Sequence, residues 1–187
     1  MTETATALTL RNHAELAVTL ARLGPDAAEP LADAIHSARR IALHGLGREG
    51  LQMKGLAMRL YHLGLSAHVV GEMATPPLGT GDLLFVSAGP GEFASIAALM
   101  TRAKEAGART AIVTAEPSNN LARGADVVLH IPAQTMARDQ SAGASLLPMG
   151  SAYECAMMLV FEALVLTLRD RLGETAETMR ARHTNME

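Results

Sequence analysis

Two stretches of the chain join an apolar run to a cluster of glycines. The first is Ile41-Ala-Leu-His-Gly-Leu-Gly-Arg-Glu-Gly50, and the second is Asp82-Leu-Leu-Phe-Val-Ser-Ala-Gly-Pro-Gly-Glu92. Helical spacing resumes after each: Leu51, Leu56, Leu60 and Leu63 after the first, and Phe93, Ile96, Ala97, Met100 and Ala103 after the second. A strand that ends in glycines and opens a helix presents free backbone N–H groups at a helix N-terminus. Such turns take anions and polar ligands. Gly47, Arg48, Glu49, Ser87, Ala88, Gly89, Gly91 and Glu92 are therefore candidate ligand-binding residues. Arg48 can hold an anion or ligand hydroxyls; its structural alternative is an ion pair with a nearby acid. Glu49 is either an acceptor for hydroxyls or a charge stabilised by the helix dipole, and Glu92 carries the same two readings. Gly45, Gly47 and Gly50 also complete a GxGxxG after a strand, and Glu72 ends the next strand, where a ribose-binding acid would sit. Glu49 opposes the phosphates of any dinucleotide at that turn.

The elements that must position these residues read as one α/β domain. With 187 residues, 49% of them apolar, the chain can bury a sizeable core. The formal charge is −3, with Lys and Arg scattered, which argues against nucleic acid and anionic membranes as partners. A single cysteine, Cys155, excludes an intramolecular disulfide framework; beside Glu154 it is expected to be a small buried hydrophobe. Met1 to Ala5 lack the basic and apolar regions of a signal peptide, so a cytoplasmic location is expected. The apolar run Cys155–Leu168, broken by Glu162, is shorter than the roughly 20 residues of a membrane span.

Helical spacing predicts a first helix over 4–23 and a second to about Ser37, opened by an Asp26–Glu29 capping box. Strands are predicted near 40–45, 66–70, 83–87, 110–114 and 127–131. Helices are predicted over 50–63, from Phe93 to Gly107, from Pro117 to about Arg123, and over 151–172. Gly64, Gly107 and Gly173 stand where helices end. Residues 71–81 and 133–148 read as loops, the second containing Ser141, Gly143 and Ser145, and a polar helical tail closes the chain. Short apolar strands alternating with helices imply a five-stranded parallel sheet covered on both faces, a flavodoxin-like three-layer α/β/α domain. In such sheets ligands bind beyond the carboxyl ends of the strands. The segments divide as N-terminal helices (1–38), an α/β core (39–172) and a C-terminal tail (173–187).

With both turns in place the chain resembles the sugar isomerase (SIS) family, and within it the 6-phospho-3-hexuloisomerases. The resemblance rests on Gly45-Leu-Gly-Arg48, Ala57-Met-Arg-Leu-Tyr-His-Leu-Gly64, Val69-Val-Gly-Glu72, Thr75-Pro76 and Gly81-Asp-Leu-Leu84. It continues through Ala125-Asp126, Pro148-Met-Gly-Ser151, Glu154 and the tail Arg182-His-Thr-Asn-Met-Glu187. It implies an isomerase that moves a carbonyl between adjacent carbons of a sugar or sugar phosphate through an enediol, with no cofactor or metal. It also implies a homodimer or homotetramer with sites shared between subunits. Glu154 is then the general base, which needs a pKa lifted by burial. The structural alternative for Glu154 is a Ser151–Glu154 capping box. His62 and His183 are candidate proton donors, and Arg59 is a further substrate-binding candidate. His13, His36, His44, His68 and His130 read as structural, and no His pair has metal-ligand spacing. Met53, Met58, Met157 and Met158 fill core or interface.

The chain departs from the family at the phosphate. The family's GRSG is here Gly47-Arg-Glu-Gly50, and its SGSGET is Ala88-Gly-Pro-Gly-Glu-Phe93. Glu49, Ala88, Pro90 and Phe93 replace four expected hydroxyls, and Pro90 removes a backbone donor. A carboxylate about 4 Å from a phosphate costs roughly 4 kcal/mol per unit charge at an effective dielectric near 20. The substrate is therefore either unphosphorylated or held by other groups, such as Arg48 and Arg59. A non-catalytic SIS domain that binds a sugar as a regulator is the second reading.

Overall fold

A computed structural model describes residues 3–140 and 145–186. Ser141, Gly143 and Glu187, named above, lie outside them. The strands are β1 (Ile41–His44), β2 (Ala67–Val69), β3 (Leu83–Ser87), β4 (Arg109–Thr114) and β5 (Val127–His130). All pair in parallel, in the order β2-β1-β3-β4-β5. That is the flavodoxin-like order, in which the chain reverses direction between β1 and β3 and leaves a crevice above their carboxyl ends.

Alternation along the strands divides the core in two. Ile41, Leu43, Leu83, Phe85, Ala111 and Val113 face a large cluster built with α2 (Glu29–Ser37), α3 (Gly47–His62) and α6 (Ser151–Leu172). Leu16 and Leu20 of α1 (Ala5–Leu20) pack onto its edge. Ala42, Leu84, Val86 and Ile112 face a smaller cluster with Ile96 and Met100 of α4 (Ala94–Glu105) and Leu121 of α5 (Asn120–Gly124). By length and composition α6 could cross a membrane, because the helix outlasts the apolar run at both ends. Its Tyr153, Met157, Phe161, Leu164 and Leu168 are instead buried in the larger cluster, as in a core helix.

Gly64, Gly107 and Gly173 end their helices in the left-handed region, as their spacing predicts. Both predicted capping boxes fail. Residues 24–28 turn rather than extend, so Ala28 flanks α2 in a helical conformation, and the Glu29 N–H reaches the Asp26 carbonyl, not its side chain. Before α6, Met149 and Gly150 are both left-handed (φ 54° and 84°), which makes Ser151 the first helical residue and leaves its hydroxyl outside the cap. α3, at the first glycine turn, also starts earlier than predicted, at Gly47, and α5 starts later, at Asn120, capped by the Asn119 side chain. Cys155 is exposed rather than buried, on the outer side of α6.

The tail folds back on α3. After α7 (Ala176–Ala181), Arg182 donates to the His62 carbonyl at 2.9 Å and to both oxygens of Glu174 at 2.7 and 2.8 Å. Its guanidinium lies 3.1 Å from where a Cβ on Gly64 would stand, so a side chain there would displace the clamp. The Arg182 hydrogen bond, helped by Thr178, holds the Glu174 carboxyl down to about 2, from an ordinary 4.5. A depressed carboxyl stabilises the fold above its unfolded value and loses that contribution as pH falls through its folded value. Protection of the α7 amides from exchange is therefore expected to hold at pH 5 and to be lost between roughly pH 4.5 and 2, ahead of that of the sheet amides. Loss of α7 and sheet protection at one common pH would contradict this.

Candidate active site

β1 leads into α3 and β3 into α4, so both glycine turns lie above the β1–β3 crevice. α6 runs beside α3 in the same direction: Arg48 meets Glu154 at their N-terminal ends, and Arg59 meets Glu162 further along. Two helix N-termini thus converge on one spot, which favours negative charge there. The result is a pocket of about 360 Å³, lined by Leu46, Gly47, Arg48, Glu49, Pro90, Phe93, Thr135, Met136, Met149, Gly150, Tyr153 and Glu154. Its size suits a small ligand.

Arg48 ties the pocket together. Its Nε lies 3.0 Å from Glu154, its Nη1 donates to Ser151 Oγ at 3.2 Å, and its Nη2 donates to the Met149 carbonyl at 2.5 Å. The left-handed Met149 aims that carbonyl at the guanidinium. Such a backbone is costly for a side chain with a Cβ and persists where surroundings over-determine it. Glu154 is 15% exposed. Burial raises its pKa; the Arg48 charge lowers it, and the Glu49 charge raises it again.

Glu49 reaches from the first turn of α3 across to β3. One of its oxygens accepts from Ser87 Oγ at 2.5 Å and from the Gly89 N–H at 3.0 Å. Burial raises the Glu49 pKa, and those two donors oppose the rise. Tyr153, fully buried, brings its hydroxyl to 3.5 Å from Ser87 Oγ. Its pKa is pushed well above the ordinary value, first by burial and then by Glu49. Close packing sets this geometry: a Cβ on Gly89 would stand 2.5 Å from the Tyr153 ring and 2.9 Å from Glu49 Oε1.

The structure gathers Gly47, Arg48, Glu49 and Glu154 around the pocket, with Ser87 and Gly89 behind Glu49. Ala88 is buried in the smaller core cluster, and the Gly91 N–H goes to the Ala88 carbonyl. Glu92 points away, accepting from the Asn120 N–H at 2.9 Å. Arg59, His62 and His183 lie elsewhere. Arg59 forms a two-bond pair with Glu162, at 3.0 Å for each bond. The two histidine rings stack at 5.3 Å in a second, basic pocket of about 450 Å³ with Arg169 and Arg180. From Arg48 to His62 the path along α3 is about 21 Å. Glu154 and the two histidines therefore do not meet within one chain.

Tyr153, Met149 and Thr135 were not singled out by the sequence. Tyr153 sits next to Glu154 in a helix, where adjacency points side chains in different directions. Thr135 follows β5 without any motif, yet its hydroxyl is buried in the pocket wall with no hydrogen-bond partner among the described residues. No cluster of three or more His, Cys, Asp or Glu suited to a metal ion occurs among the described residues.

Residues 34–166 match the SIS domain, and the chain belongs to the SIS domain family. It is 38% identical over 175 residues to the 3-hexulose-6-phosphate isomerase of Bacillus subtilis (strain 168), covering 92% of this chain and 94% of that protein. It is also 38% identical to the enzyme of the same name from Mycobacterium gastri, over 92% of this chain and 86% of that one. Among solved structures, a hypothetical protein at 30% identity superimposes with a TM-score of 0.86, covering 96% of this chain and 97% of the other. The dinucleotide reading of Gly45, Gly47 and Gly50 gives way to the family match and to the Glu49 carboxylate that lines the pocket at that turn.

Proposed function

We propose that the protein is an isomerase that moves the carbonyl of a hexulose or its phosphate between adjacent carbons through an enediol. The observation that carries this is Glu154: a carboxylate lifted by burial, held by Arg48, at the wall of a pocket above the β1–β3 crevice. The 38% identity, over 92% of this chain, to two 3-hexulose-6-phosphate isomerases supports the same chemistry. Glu154 takes the proton from the carbon next to the carbonyl, giving an enediolate. It returns that proton to the former carbonyl carbon while the hydroxyl proton moves between the two oxygens. Arg48, the one cation lining the pocket among the described residues, would offset the charge that develops on the enediolate oxygens. Conversion of 3-hexulose 6-phosphate, or of free 3-hexulose, to the matching 2-ketose tests it. Binding of both sugars with turnover of neither would favour a regulatory domain instead.

The base must be ionised, so kcat/KM is expected to rise with pH through the Glu154 pKa, above the ordinary carboxylate range. Arg48 lowers that pKa. Arg48→Ala is expected to move the acid limb to higher pH and to reduce the plateau by tenfold or more, about 1.4 kcal/mol. A pH–rate profile with an unmoved acid limb would remove Arg48 from this role.

The assembly is proposed to be a homodimer or homotetramer. Between the two pockets, α3 and α6 expose Leu51, Met58, Tyr61, Met158, Leu159 and Leu166, a band that a second copy would bury. Such packing would bring His62 and His183 of one copy to the Glu154 pocket of another. Glu154→Gln and His183→Ala chains, each inactive alone, are expected to regain part of the native rate when mixed and reassembled. A monomer by ultracentrifugation at micromolar concentration, or no recovery on mixing, would count against the shared site.

A further inference from the structure

Along the turn after β3, from Ser87 to Gly91, the chain itself takes the donors. Ser87 Oγ and the Gly89 N–H both go to Glu49. The Ala88 N–H belongs to the sheet, bonded to the Val113 carbonyl at 3.0 Å, and the Gly91 N–H is bonded to the Ala88 carbonyl at 3.2 Å. Pro90 has no N–H, and Ala88 and Phe93 bring no hydroxyl. One carboxylate oxygen from the first turn of α3 thus bridges a hydroxyl and an amide of the β3–α4 turn, as a bound anion would.

The charge around the pocket agrees. Among the described residues its lining holds two carboxylates, Glu49 and Glu154, and one cation, Arg48. That cation is already committed to Glu154, Ser151 and the Met149 carbonyl. A second anion beside Glu49 would meet its repulsion, while Arg48, the one cation among the described lining residues, is turned toward Glu154. The remaining wall near the turn is apolar: Leu46, Pro90 and Phe93.

We infer that Glu49 is a resident anion in the β3–α4 turn, and that the ligand end admitted beside it is an uncharged, hydroxylated carbon rather than a phosphate. This rests on the isomerase reading of the same pocket and narrows its substrate to a ketose with a free hydroxyl at that end. The hydroxyl donates to the second Glu49 oxygen, which no protein donor holds in the hydrogen bonds that Glu49 makes to Ser87 and Gly89.

Inorganic phosphate is the direct probe, read at the Gly89 amide by ¹H–¹⁵N NMR of the full-length protein. The native amide is expected to show no saturable shift up to about 10 mM phosphate, and Glu49→Ser to bind at least about tenfold more tightly than the native protein. Glu49→Gln removes the charge while keeping the size, and carries the test if the serine variant does not fold. Equal saturation of native and variant amides, or silence in both, overturns the inference. Turnover separates it from the broader reading. Conversion of free 3-hexulose in preference to its 6-phosphate supports both. Conversion of the phosphate alone overturns the inference and leaves the isomerase standing. Conversion of neither overturns the isomerase assignment, and with it the substrate class inferred here, whatever the phosphate titration shows at Gly89.

Discussion

Glu154→Gln is expected to lower kcat by about 10²–10⁴-fold while leaving KM and the fold nearly unchanged. Glutamine has the same shape and can still accept from Arg48, so the pocket keeps its walls. It cannot take a proton from carbon. The loss falls on kcat because the interaction removed is one made in the transition state and not in ground-state binding. Three measurements decide it together: the rate of ketose interconversion, the calorimetric affinity for the same sugar and the melting temperature. A variant that keeps more than about a tenth of the native rate would show that another group is the base. Glu49, the second carboxylate of the pocket, would then be the next group to replace.

The second large effect is structural. Gly50→Ala would place a Cβ 2.5 Å from the Gly45 carbonyl oxygen, where α3 passes closest to the end of β1. Both atoms belong to backbone, so neither rotates away. The helix would have to shift against the sheet, at a cost of about 1–3 kcal/mol or more. In a domain of this size that lowers the melting temperature by roughly 2–12 °C, at about 2–4 °C per kcal/mol. It would also displace Arg48 and Glu49, which stand on the same helical turn, so activity should fall with stability. Gly124→Ala is the matched control, since a Cβ there meets nothing within 4 Å and should change the melting temperature little. Equal melting of the two variants would show that the approach of α3 to β1 is looser than drawn here.

The two glycine turns were legible because each sits at the end of a buried strand, and burial leaves a short unbroken apolar run such as Leu83 to Val86. Helix ends at Gly64, Gly107 and Gly173 were legible for a local reason as well, since each needs a positive φ. The failures have local causes too. A capping box at Ser151 presumes an extended residue there, but the left-handed pair before it moves the cap to Gly150. Cys155 was read as buried because α6 is apolar almost all round and carries no polar stripe to mark its outer face. Glu49 was legible as a charge beside the turn. Its reach to Ser87 and Gly89 depends on how closely α3 lies against β3, which no spacing along the chain records. The separation of Glu154 from His62 and His183 was hidden for the same reason.

Arg48 binds three groups between Met149 and Glu154, about a hundred positions further along the chain. That span has a kinetic meaning. Contacts so distant in sequence close large loops, and they are bought last, after local helices and neighbouring strands have formed. A chain that has assembled β1, α3 and β2 holds Arg48 and Glu49 but has no pocket until the N-terminal end of α6 docks. The base and the buried tyrosine thus reach the guanidinium together, when α6 docks. The site is in this sense a seal on the finished fold.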